Sequence, residues 1–249
     1  MVRADWPAPP GVQALVTTRL GGVSQGPFAS LNLGDHVGDD PRAVRRNRER
    51  VAQTLHLPSS PLWLRQVHGT DVVVHPGPGG NPTEPPAADA AVAFVPGAVL
   101  AVLTADCLPV AFAARDGGAV AVAHAGWRGL AGGVLEATLG ALARHPGECV
   151  AWLGPAIEPA AFEVGAEVRA AFEARDPANT ACFVENARGR WQADLTGLAR
   201  RELARLGVAA VYGGEGGTFA DSQQWYSFRR EPATGRMATL VWIEHRPGS

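Results

Sequence analysis

The chain predicts an α+β fold, one domain of mixed β-sheets with helices packed on them. Three observations lead there. Apolar runs with the length of buried strands recur at 99–104, 119–123, 150–153 and 237–243. Helical patterns separate them without regular βαβ alternation. No fixed-period repeat and no linker divides the 249 residues, so a single domain over 1–249 is expected.

The elements follow in order. Residues 12–18 read as a strand, and the glycine-rich 19–27 as a loop. Asp40 can cap a helix that has Pro41 at its first position and runs to about Leu55. Residues 62–67 are a candidate strand ending at His68, with a second at 71–75 across Gly69-Thr70. The proline- and glycine-rich run 76–88 reads as a loop or a lid. After the strands at 99–104 and 119–123, a helix is expected from about Leu130 to Arg144. Residues 150–153 then form a strand, 163–175 and 195–206 helices, and 208–212 and 237–243 strands.

Composition narrows the function. With 46% hydrophobic and 18% charged residues, this is an ordinary globular chain. A formal charge of -2 and no long basic run argue against a nucleic-acid partner. No apolar run reaches about 18 residues, and Met1–Pro10 lacks the apolar stretch of a signal peptide, so no membrane association is expected. Three cysteines without framework spacing suggest reduced thiols and a cytoplasmic location. All 22 cationic residues are arginine, which excludes Schiff-base chemistry, pyridoxal phosphate anchoring and a P-loop lysine.

Three residues carry the chemistry. His68 lies in Gln66-Val-His-Gly69, Cys107 in Thr104-Ala-Asp-Cys-Leu-Pro109, and His124 in Ala123-His-Ala-Gly-Trp-Arg-Gly129. Two imidazoles and a thiolate make a zinc shell with an open fourth position, the arrangement of a catalytic site. Cys107 and His124 each follow a predicted strand, where α/β architectures place ligands. Asp106, beside Cys107, is expected to orient a ligand or relay a proton. Gly126 and Gly129 frame a turn into a helix, and Arg128 adds a charged fork for an anion. Arg46 and Arg48 lie in the densest basic stretch, which also fits the solvated face of a helix.

These segments, with Thr17–Gly26, Ser30-Leu-Asn-Leu-Gly34, Leu153-Gly-Pro-Ala-Ile157, Phe162-Glu-Val-Gly165 and Tyr226-Ser-Phe-Arg-Arg230, resemble the YfiH family, also called the laccase-domain or polyphenol-oxidase family. The resemblance implies a single α/β/β/α layered domain similar to the catalytic domain of cytotoxic necrotizing factor. It assigns His68, Cys107 and His124 as metal ligands. It implies zinc-dependent phosphorolysis of adenosine, inosine, guanosine and methylthioadenosine, together with deamination of adenosine. Partners would be purine nucleosides and phosphate, in a monomer or homodimer. Cys107, His124, His68 and Asp106 are the catalytic candidates. Arg128, Arg46 and Arg48 are the phosphate candidates, and Gln66 and Asn32 join the substrate-binding set. Gly217-Thr218 and Ala160-Ala161 stand where the family often has cysteine, which weakens a copper-oxidase reading, since soft thiolates favour copper.

Other classes compete. Cys107 could be a nucleophile with His124 as its base, in a hydrolase acting on peptidoglycan precursors. A copper-dependent phenol oxidase needs several histidine clusters, and the seven histidines are scattered, although the trio could take copper in vitro. A structural zinc in a binding module would need a fourth protein ligand, Asp106 or another histidine.

Overall fold

The computed structural model describes residues 1–245. Its strands are β1 (Val2–Arg3), β2 (Val12–Val16), β3 (Val72–Val74), β4 (Ala90–Ala93), β5 (Val99–Thr104), β6 (Leu108–Ala114), β7 (Val120–Ala125), β8 (Cys149–Leu153), β9 (Glu163–Val164), β10 (Phe183–Glu185), β11 (Trp191–Ala193), β12 (Ala210–Gly213) and β13 (Met237–Ile243). Its α-helices are α1 (Pro41–Leu55), α2 (Trp127–Gly132), α3 (Val134–Leu142), α4 (Ala166–Arg175) and α5 (Leu195–Arg205).

Two main sheets result, ordered β1-β2-β13-β5 and β12-β8-β6-β7-β4-β3, with a small β10-β11-β9 sheet beside them. The first is antiparallel throughout. The second is mixed: its outer pairs β12–β8 and β3–β4 are parallel and its centre is antiparallel.

Alternation along the strands stacks these sheets into four layers. Val99, Ala101 and Leu103 of β5 point to the side of Val51 on α1. Their neighbours Leu100 and Val102 join Ala91, Ala93, Ala111, Ala113, Val120 and Val122 of the six-stranded sheet in a core between the sheets. Val92, Val110, Phe112 and Ala121 face the opposite way and pack under Leu135 and Leu139 of α3 and Leu198 and Leu203 of α5. The expected α/β/β/α mixed fold is therefore present. Among the described residues no helix is long and apolar enough to cross a membrane.

The first helix starts as its sequence predicts. The Asp40 side chain accepts from Arg42 N at 2.9 Å, and Pro41 opens the helix. Elsewhere the elements differ from expectation. Residues 62–67 form no strand; Leu62 and Arg65 make isolated bridges to Leu100 and Ala87. The helix expected from Leu130 begins at Trp127 and breaks at Gly133, whose φ of +99° only glycine adopts without strain. The helix expected from Glu163 starts at Ala166, because Glu163–Val164 pairs with β11.

Candidate metal centre

Cys107 owes its position to a change of sheet. β5 ends at Thr104 in the four-stranded sheet, and β6 begins at Leu108 in the six-stranded one. The chain crosses between the layers in three residues, and Asp106 takes a φ of +96° to do so, a costly value for a non-glycine residue. The β6–β7 register pairs Leu108 with Ala125 and Pro109 with His124, which brings Cys107 beside His124. His68 arrives from the irregular segment before β3, also at positive φ, +59°. The ligand atoms of His68, Cys107 and His124 all lie within 4.8 Å of one another.

A buried carboxylate fixes two of the three. Asp89, fully shielded from solvent, receives the Val67 and Gly69 N–H groups on Oδ2 and the His68 N–H on Oδ1. Its Oδ1 also meets His124 Nδ1 at 2.8 Å. One side chain thus sets the backbone of His68 and the ring of His124, leaving Nε2 of His124 as the nitrogen available to a ligand. Burial pushes the Asp89 carboxyl up, but the bonds from His124, Gly69 and Val67 outweigh it and hold its pKa below the usual value. Burial also opposes charge on His124; Cys107 and Asp89 on its two sides outweigh it and raise its pKa to about 9. For His68, burial and the neighbouring His124 prevail, and its pKa falls.

Gly126 opens the space. A Cβ there would lie 2.7 Å from His68 Nδ1 and 3.1 Å from Cys107 Sγ. Any side chain at this helix entrance would displace two of the three donors. The site fits a metal: two imidazoles and a thiolate converge, and an aspartate orients one imidazole from behind. Among the described residues, no other group of three metal-ligating side chains gathers in this way.

The trio lies in a cavity of about 380 Å³ whose wall includes Gln66, Arg128, Phe228 and Arg236. A second cavity of about 360 Å³, lined by Arg48 and Trp63, shares His36 and Gln66 with it. The other expected site residues divide. Arg128 and Gln66 reach the trio's cavity, but both polar ends of the Gln66 amide are engaged by the Leu103 backbone. Arg48 stands in the adjoining cavity, stacked 4.1 Å over Trp63 and bonded to Leu33 O.

Three expectations need correction. Asp106 does not turn toward a ligand: its carboxylate accepts from Thr218 Oγ1 at 2.7 Å and Arg229 N at 2.6 Å, stapling the β5–β6 crossing to the segment before β13. Arg46 lines a different cavity, with Asp39, Asp40 and Arg42. Asn32 is buried, and its amide bonds Gly34, Asp39 and Arg236 N, so it holds a loop.

Two residues that sequence inspection passed over belong here. Asp89 left a trace: a lone carboxylate inside Ala87-Ala-Asp-Ala-Ala91 is costly to bury unless hydrogen-bonded. Arg236, just before β13, left none.

A family model described as multi-copper polyphenol oxidoreductase laccase matches residues 13–244. The chain belongs to this laccase family. Among its relatives, the Escherichia coli (strain K12) protein named purine nucleoside phosphorylase YfiH is 49% identical over 243 residues, covering 98% of both chains. A Pseudomonas aeruginosa protein, also named a purine nucleoside phosphorylase, is 53% identical over 96% of this chain and 97% of its own. The crystal structure of a Neisseria meningitidis protein superposes with a TM-score of 0.93 at 51% identity, covering 98% of this chain and 99% of that one. YlmD from Geobacillus stearothermophilus superposes at 0.87 with 34% identity, covering 96% and 94%. The laccase family name speaks of several coppers; the trio provides one three-ligand group among the described residues.

Proposed function

We propose that this chain is a zinc-dependent purine nucleoside phosphorylase that cleaves adenosine, inosine, guanosine and methylthioadenosine and also deaminates adenosine. The carrying observation is the His68–Cys107–His124 centre in a cavity of about 380 Å³, large enough for a nucleoside, in a chain 49% and 53% identical to relatives named purine nucleoside phosphorylase. In phosphorolysis a phosphate oxygen bonds to C1′ of the ribose as the bond from C1′ to the purine nitrogen breaks. The electron pair leaves with the purine, which then takes a proton. Two imidazoles and one thiolate suit zinc with a position left open. Held there by His68, Cys107 and His124, zinc would supply Lewis acidity.

The protein's own groups position the rest. Asp89 holds His124 in one tautomer and orientation. Arg128 offers a guanidinium fork to phosphate. Phe228, 52% exposed at the cavity wall, offers an apolar face to the nucleoside.

One observation favours a second reading. His124 stands between Cys107 and Asp89, which is also the order of nucleophile, base and orienting group in a cysteine hydrolase. That enzyme would work without metal, on peptidoglycan precursors.

Chromatography of the products from adenosine separates the two. Free adenine appearing only with phosphate, and inosine appearing without it, both lost on chelation, are the expected results. If zinc-loaded protein forms neither product, the phosphorylase reading fails and the Cys107 hydrolase is tested next, with Cys107→Ser as its control.

A further inference from the structure

Arg236 lies on the wall of the metal centre's cavity. It shares that wall with Arg128, and Gly34 makes room for it: a Cβ at Gly34 would lie 2.8 Å from Arg236 Cγ. One guanidinium nitrogen, Nη1, donates to Thr234 O and Gly235 O, both at 3.0 Å. Nε and Nη2 have no hydrogen-bond acceptor, and the side chain makes no ion pair, among the described residues. Arg128 likewise has no ion pair there; it rests 4.4 Å over the Trp127 ring.

Among the described residues no aspartate or glutamate lines this cavity. Burial disfavours the charge on Arg236, and the opposing pull comes from Cys107 and Asp106. Asp106 is already spent on Thr218 and Arg229. A cavity that holds two arginines and no carboxylate needs an anion from outside to complete it.

We infer that Arg236 and Arg128 form a two-arginine oxyanion site beside the metal centre, and that inorganic phosphate is its occupant. The identity of the anion rests on the phosphorylase reading; the existence of the site does not. Arg236 supplies a half-buried fork with two free donor nitrogens, and Arg128 closes over the anion from the helix side. Neither Arg46 nor the Arg48–Trp63 stack takes part.

The test uses metal-loaded full-length protein with inorganic phosphate as the probe. Calorimetric titration of phosphate, without nucleoside, is expected to show binding by the wild type. Arg236→Gln and Arg128→Gln should each weaken it by about tenfold or more, with metal content unchanged. In phosphorolysis, Arg236→Gln should raise KM for phosphate by about the same factor and leave KM for the nucleoside within about twofold, with Arg236→Lys recovering part of the loss. Phosphate binding by a wild type that performs no phosphorolysis would uphold the anion site and reject the phosphorylase reading. Wild-type phosphate affinity in both glutamine variants would overturn the inference. Should Arg236→Gln fail to fold, Arg128→Gln and Arg236→Lys carry the test, and unchanged phosphate KM in both rejects it.

Discussion

Asp89 ties the backbone of one metal ligand to the ring of another, so its loss should show first as weaker metal binding. An asparagine keeps the shape but offers an amide nitrogen where two N–H groups now point. Asp89→Asn is expected to lower metal affinity about 10- to 100-fold while circular dichroism stays native. Competition against a chromophoric chelator measures this, and an unchanged affinity would show that His124 is oriented by packing alone. The trio itself was legible in the sequence because Cys107 and His124 stand at the ends of apolar runs. Asp89 and Arg236 were not, because each acts through partners far along the chain. Asp89 reaches back to Val67–Gly69 and forward to His124, and Arg236 meets the cavity only once β13 is paired.

At the scale of elements, legibility followed side-chain shape. The strand at 99–104 and the one at 237–243 stood out for their β-branched residues and leucines. β4 is three alanines and a valine, and β6 carries Pro109 near its start with one valine and three alanines around Phe112. Such compositions have weak intrinsic strand preference, and burial on both faces decides the outcome. The helices are joined by a network that no periodicity reveals. Arg175 of α4 donates to Glu202 of α5 at 2.5 Å and to Glu136 of α3 at 2.6 Å, and Arg205 donates to Glu202 at 2.9 Å. The Glu202 side chain is only 8% exposed. Burial pushes its carboxyl up, but Arg205 and Arg175 outweigh it and hold it below the ordinary 4.5. As pH falls through that region, the unfolded chain takes up the proton first, so the contribution of Glu202 is present at neutral pH and lost in acid. Glu202→Gln should cost about 2–4 kcal/mol at neutral pH and flatten the acid limb of Tm against pH. Parallel acid limbs in variant and wild type would contradict this.

For the whole molecule, the spacing of the two sheets sets where Cys107 stands relative to the two histidines, since Cys107 lies on the segment that crosses between them. Small side chains fill much of that interface: Ala91, Ala93, Ala111 and Ala113 meet Leu100, Val102 and Val241. Close packing leaves little room for larger groups. Ala111→Leu is expected to destabilise the fold by about 1–3 kcal/mol, lowering Tm by about 2–4 °C for each. Scanning calorimetry measures it; an unchanged Tm would mean that the interface yields. The same variant should lose metal affinity without touching a ligand, because Asp106 and Cys107 bridge the two layers.

The order in which the strands are made gives the central place of β13 a temporal meaning. It lies between β2 and β5 and pairs with both, yet it is translated after every other described strand. His68, Cys107 and His124 therefore leave the ribosome well before the partner that fills the ladder between β2 and β5. Until residue 243 emerges, β5 lacks its neighbour, and the crossing that carries Cys107 hangs from an open sheet edge. A nascent chain holds all three donors without the frame that aligns them. Metal capture with the mature geometry thus belongs to the finished polypeptide.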